Sequence, residues 1–300
     1  MLKLSFLLVA LVVGILLQRL SSEERVRDSI WNLSFWLVIP VLVFATFLNV
    51  SLTSRLGLAI AAVIASTWLL VGLSLLYARL VTKERDERGA LTLGGAVGNT
   101  GFIGYPLAQL VFGHSGLTQA VVYDQLSFGV PMSSLSVVVG RLFGRRSVDT
   151  AQGSRLAVVL LNPPLWALMA ALTLRAVGVH IPHIGRVEDV AAALIGPLGF
   201  LMLGISLPLE QVEHDLVEVA SATGAMTLKI GAGPLILFVL GRALGANIPS
   251  TFYLLAAMHH AFHLLTIARV YDMRPALMRL MVVAATIPVV LAVVIGSFVF

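Results

Sequence analysis

Residues 91–113 read LTLGGAVGNTGFIGYPLAQLVFG, and no other stretch limits the fold so tightly. The run is long enough to cross a bilayer. Yet Asn99, Thr100 and Pro106 fall near its middle, and six glycines are spread along it. Pro106 has no amide hydrogen and its ring crowds the preceding turn, and the glycines loosen the helix further. Broken backbone at membrane depth survives only where protein or a water-filled cavity satisfies it. The sequence therefore predicts a helix interrupted near Asn99–Pro106, of the kind that forms binding sites in secondary transporters.

At 58% hydrophobic and 12% charged residues, with mean hydropathy +0.97, the chain reads as an integral membrane protein embedded in a lipid bilayer. A window of about 19 residues finds ten helical segments: 2–18, 30–50, 57–79, 90–112, 117–140, 156–176, 187–207, 219–241, 250–270 and 276–299. The first segment faintly resembles a signal peptide, but it lacks a small-residue cleavage site and runs into Arg19, so it reads as the first span. The connections leave no room for a separate soluble domain. The net charge of +5 would suggest nucleic acid in a soluble protein; here it reads as basic loops, with no nucleic-acid partner expected. With no cysteine, disulfides and thiolate chemistry are excluded.

Loops after spans one, three, five, seven and nine hold fourteen of the twenty Lys and Arg residues, five lie on the other side, and Lys229 falls inside a span. The positive-inside rule then puts both termini on the non-cytoplasmic side of the cell membrane. Ten spans divide into five plus five, residues 1–150 and 151–300. A repeated unit with an odd number of spans comes out inverted, which makes spans four and nine equivalent.

A break in span four leaves a half-helix N-terminus, with unpaired amides and partial positive charge, near the midplane. That end suits a carboxylate. Asn99, Thr100 and Gly101 beside it are candidate ligand contacts. The plainer reading is a kinked helix with Asn99 satisfied by a neighbour. Span nine carries His259, His260 and His263 at its centre. On an unbroken helix His259 and His263 would share a face. Three readings stay open: anion binding or proton relay as imidazolium, metal ligation, or neutral hydrogen bonding between helices. Asp124 and Gln125 lie early in span five, where Asp124 is either a helix-end carboxylate at the external interface or a coupling group. Lys229 in span eight reads as a snorkelling lysine or a partner for Asp124. Asn162, Pro163 and Pro164 open span six, and Pro40 kinks span two.

No phosphate loop, nucleophile elbow or metalloprotease signature is present, so no enzyme, cofactor or metal site is expected. The run 98–113 (GNTGFIGYPLAQLVFG) resembles the fourth-span motif of the auxin efflux carrier family. NPPLWALMAAL at 162–172, IGPLGFLMLGISL at 195–207 and LKIGAGPLILF at 228–238 are similar to its sixth, seventh and eighth spans. The resemblance implies an all-α membrane fold: ten helices in two inverted five-helix repeats, with spans four and nine crossing at broken centres. It also implies scaffold and transport domains drawn from both repeats, elevator movement, small carboxylate substrates and a homodimer. Asn99, Pro106 and Gln125 match family positions. Span nine departs: His259 stands in the proline place and His263 in the asparagine place.

The function expected is secondary transport of a small organic anion. Asn99 and the half-helix N-terminus hold the anion, and His259, His260, His263 or Asp124 carry a coupled proton. Two rivals are a sodium-coupled organic anion symporter of the bile-acid-transporter type and a non-transporting membrane sensor.

Overall fold

The computed structural model describes residues 2–19, 23–51, 53–146, 162–207 and 215–299. Its elements are all helices, and among the described residues the one strand-type pairing is an antiparallel bridge between Gly98 and His260. The first half holds α1 (Leu2–Leu17), α2 (Glu23–Leu33), α3 (Ile39–Asn49), α4 (Ser54–Val81), α5 (Arg85–Ala96), α6 (Tyr105–Tyr123) and α7 (Gly129–Phe143). The second holds α8 (Pro163–Ala176), α9 (Ile184–Ser206), α10 (Leu216–Thr227), α11 (Gly233–Ala243), α12 (Ser250–Ala256), α13 (His263–Tyr271) and α14 (Pro275–Val299). Four stretches are long and apolar enough to cross a membrane: Arg25–Asn49, Ser54–Val81, Ile184–Ser206 and Leu216–Ala243. Arg155, positions 156–161 of the sixth segment and the division at residue 150 lie outside the described residues.

Two expected spans are not single rods. In the fourth, α5 stops at Ala96, and a π-helical turn, Thr100–Gly104, leads into α6. The break sits at Val97–Asn99, at the N-terminal edge of the expected stretch, Asn99–Pro106. Pro106 lies in the first turn of α6, directly after the π turn, whose wider bonding makes room for its ring. In the ninth, α12 stops at Ala256 and α13 starts at His263, so this span is interrupted without a proline. Gly113 (φ 68°) divides α6 into two rods, a left-handed corner that glycine takes at little cost.

Four π turns are described: Ser34–Val38, Thr100–Gly104, Asp124–Phe128 and Leu228–Ala232. Each is followed within three residues by a proline: Pro40, Pro106, Pro131 and Pro234. The physical reason is local. A proline ring collides with the carbonyl four residues back, and in every case that carbonyl lies inside the π turn, whose wider i→i−5 bonding moves it aside. The expected kink at Pro40 is thus spread over Ser34–Val38. Pro197 and Pro288 sit inside α9 and α14 with no π turn recorded beside them.

Helices from both halves mix in the packing. One group contains α1, α3, α8 and α9; α4, α5, α7, α10, α11, α13 and α14 pack among themselves. Only Val50–Thr53 join α3 to α4. Backbones approach closely where glycines face: a Cβ on Gly14 would lie 2.4 Å from the Leu201 carbonyl oxygen, and one on Gly204 2.3 Å from that of Leu11. Gly199 of α9 meets the π turn Thr100–Gly104 just as closely, where a Cβ would lie 2.0 Å from the Phe102 carbonyl oxygen.

Charges on the arginine-rich side are paired. Buried Asp86 meets Arg145 at 3.1 Å and Arg274 at 3.2 Å, while Glu87 and Glu218 also approach Arg274. Arg274 Nε is out of hydrogen-bond alignment with Asp86, so charge rather than a directed bond holds this pair. On the other side buried Glu188 accepts from Thr46 (2.9 Å) and Asn49 (3.1 Å), joining α9 to α3.

Gly199→Ala should destabilise the protein by about 1–3 kcal/mol, since backbone and not a flexible side chain must yield. Gly72→Ala in α4, with nothing within 4 Å of a new Cβ, should leave stability unchanged or raise it by up to about 1 kcal/mol. Thermal unfolding of the two variants in detergent separates these outcomes.

Candidate functional site

The two interruptions face each other and satisfy each other. Asn99 N–H donates to the His259 carbonyl at 2.7 Å, and Ala261 N–H donates to the Val97 carbonyl at 3.3 Å. This short antiparallel pairing replaces the helical bonds lost at both breaks, which low-dielectric surroundings require. Past the pairing, Gly104 N–H bonds back to Asn99 O at 3.0 Å. The first-turn amides from Thr100 to Ile103 have no intrahelical acceptor.

A cavity of about 780 Å³ opens beside this junction. Asn99, Thr100, Gly101, Asp124, Gln125 and His263 border it. Pro106, His259 and His260 do not. Arg27, Arg269 and Arg279 also border it, from α2, α13 and α14. One wall is aromatic: Trp31 stacks on Phe102 at 4.8 Å and on Phe35 at 5.6 Å between ring centroids. Two polar atoms at this cavity, Asn99 Nδ2 and Ser206 Oγ, are buried with no hydrogen-bond partner among the described residues. A buried polar group left unmade is costly, and the described residues supply neither atom with a partner.

Asp124 is not a helix-end carboxylate at an interface. It starts the π turn Asp124–Phe128, is buried, and accepts hydrogen bonds from Thr100 Oγ1, from Tyr105 OH at 2.8 Å and from Gln125 Nε2 at 2.9 Å. The carboxylate pins the π turn after the span-four break to the middle of span five. Gln125 Nε2 also reaches Tyr105 OH at 3.3 Å. No Asp124–Lys229 pair forms: Lys229 donates to the Ala256 carbonyl. It does not snorkel, being 1% exposed.

The histidines part company. Because the helix is broken between them, His259 and His263 do not share a face. His259 Nδ1 lies 3.1 Å from Thr286 Oγ1, and His263 Nε2 lies 3.3 Å from Ser136 Oγ at the cavity. His260 is buried, and neither ring nitrogen has an aligned hydrogen-bond partner among the described residues. Asn162 caps α8, accepting from Leu165 N–H at 3.0 Å, so the Asn-Pro-Pro run begins that helix.

Sequence reasoning missed Tyr105, Ser206 and the aromatic wall. Tyr105 carried a faint signal, a phenol between Gly104 and Pro106 in an apolar run. Ser206 carried none, because a lone serine at a helix end is ordinary.

An all-helical, multi-pass membrane protein with a polar cavity at two paired helix breaks belongs structurally to the transporter class. Residues 1–144 match the family described as membrane transport protein, in keeping with the resemblance of the 98–113 run to the auxin efflux carrier family. Over 193 residues it is 26% identical to an uncharacterized transporter of Methanothermobacter thermautotrophicus, covering 63% of this chain and 62% of that one. Over 118 residues it is 36% identical to an uncharacterized transporter of Methanocaldococcus jannaschii, covering 38% of each. The chain thus spans less than two thirds of the length of either relative.

Tyr105→Phe removes one of the three donors to Asp124 and should lower stability by about 1–3 kcal/mol, read as a fall in the melting temperature. Tyr253→Phe, whose hydroxyl makes no contact with Asp124, serves as the control.

Proposed function

We propose that the chain is a secondary transporter for a small organic anion, a carboxylate with an apolar body. Asn99 Nδ2, buried and unpartnered at the cavity beside the open end of a half-helix, carries this reading. A carboxylate there would receive a hydrogen bond from Asn99 and charge stabilisation from the first-turn amides after it. Thr100, Gly101, Gln125 and His263 complete the polar side, and Trp31 and Phe102 contact the body. Three arginines against two carboxylates, Asp28 and Asp124, border the cavity, a balance that leans toward anions. Pro106, His259 and His260 stand behind the wall and shape it.

In this reading the chain crosses the cell membrane ten times as two inverted five-helix repeats, with both termini outside the cytoplasm. The two interrupted spans are its crossover helices. The α1–α3–α8–α9 group is the scaffold, and the other group carries the cavity as an elevator, in a homodimer. Asp124 is the proton-coupling group. Ionised, it repels a second carboxylate in the same cavity, so an anion and a proton enter together. The sodium-coupled rival needs a cluster of oxygen ligands at the crossing, and the lysine found there opposes it.

A thermal-shift screen of carboxylates on the purified protein should give at least one that raises the melting temperature in proportion to occupancy. Asn99→Ala should weaken that ligand by about 10-fold or more, the loss of one hydrogen bond to a charged group. An unchanged affinity sinks the site assignment. Because ionised Asp124 repels the bound carboxylate, the same ligand should bind more tightly near pH 5 than near pH 8. Asp124→Asn should flatten this dependence. Flux in proteoliposomes distinguishes a transporter from a sensor.

A further inference from the structure

Lys229 is a buried cation at the junction that takes no part in the anion site described above. It lies on the π turn Leu228–Ala232, in the stretch that joins α10 to α11. Its ammonium donates to the carbonyl of Ala256, the last residue of α12, and Ala256 is its one hydrogen-bond acceptor among the described residues. The side chain passes directly over Gly98. A Cβ at that position would lie 2.7 Å from Lys229 Cε, 3.0 Å from Nζ and 3.2 Å from the Met258 carbonyl oxygen. Any residue but glycine at position 98 would push the ammonium out of its notch.

The ammonium therefore sits where the two unwound segments meet, at the carbonyl end of a half-helix. That end carries partial negative charge. In transporters with broken helices, unwound carbonyls and half-helix C-termini are the groups that hold a coupling cation. A buried cation is costly unless such groups receive it. Gly98 itself borders the cavity, so the charge stands directly behind the cavity wall.

We propose that Lys229 is a tethered cation that fills the cation position of the helix crossing, so that folding of the crossing and binding of the anion need no sodium ion. The claim about anion binding rests on the anion-site reading above; the claim about the crossing does not. The ammonium reaches the site on its own chain, offering three donors where a metal ion would need several oxygen ligands.

The test compares the full chain with Lys229→Ala in sodium chloride, choline chloride and ethylammonium chloride at one ionic strength. The parent should melt within about 1 °C in all three, and its carboxylate-induced shift should be the same with and without sodium. Lys229→Ala should lose most of that shift in choline. Sodium or ethylammonium, small enough to enter the vacated notch, should restore it and raise the ligand-free melting temperature by about 2–4 °C or more. A parent that requires sodium overturns the proposal, as does a Lys229→Ala protein indifferent to all three salts. If Lys229→Ala yields no folded protein in any salt, Lys229→Arg keeps the charge and should fold with sodium-insensitive stability; sodium dependence in that variant is equally fatal. If no carboxylate shifts the parent in any salt, the anion-site reading fails, and the ligand-free comparison still decides the role of the lysine.

Discussion

Two backbone hydrogen bonds, Asn99 to His259 and Ala261 to Val97, hold the centre of this protein together. Inside a bilayer every amide and carbonyl needs a partner. A helix meets that demand within itself, and a helix that stops cannot. Here each interrupted segment supplies what the other lacks. Neither break is sustainable alone, and the cavity exists because the two are solved jointly. The pairing is also small: it joins Gly98 to His260 and ends, leaving the neighbouring amides and side chains unspent.

The side-chain chemistry around the pairing follows the same economy. Asp124 would be an expensive charge in an apolar span, yet it receives three donors from residues on or beside the π turns. Lys229 would be more so, and it ends on the carbonyl that α12 leaves open at Ala256. In both cases a charge is matched to a backbone irregularity. The π turns are what bring these residues inward, and each is linked to a proline one turn further along the chain.

Much of this was legible in the sequence, and the failures are instructive. The interrupted span at 91–113 could be read because glycine, asparagine and proline coincide there. The gap falls at the N-terminal edge of the expected stretch, Asn99–Pro106. Pro106 sits in the first turn of α6, and Gly98 and Asn99 lie at the gap. Span nine shows the limit of the proline argument from the other side: HHAFH contains no breaker, and the chain unwinds there because Val97 and Asn99 require partners. Histidine spacing misled for the same reason, since i, i+4 means one face only along a continuous helix. The hydrogen bonds of Asp124 were invisible, because they depend on span five lying against the break, which no local pattern encodes.

The four-residue connection between α3 and α4 sets a mechanical bound. These helices belong to different packing groups, and the chain from Asn49 to Ser54 has only Val50–Thr53 between. Stretched fully, that leash reaches about 18 Å. However the two groups travel past one another, this pair of helix ends can part no further unless the helices themselves fray, so the amplitude of any stroke is written into the length of one loop.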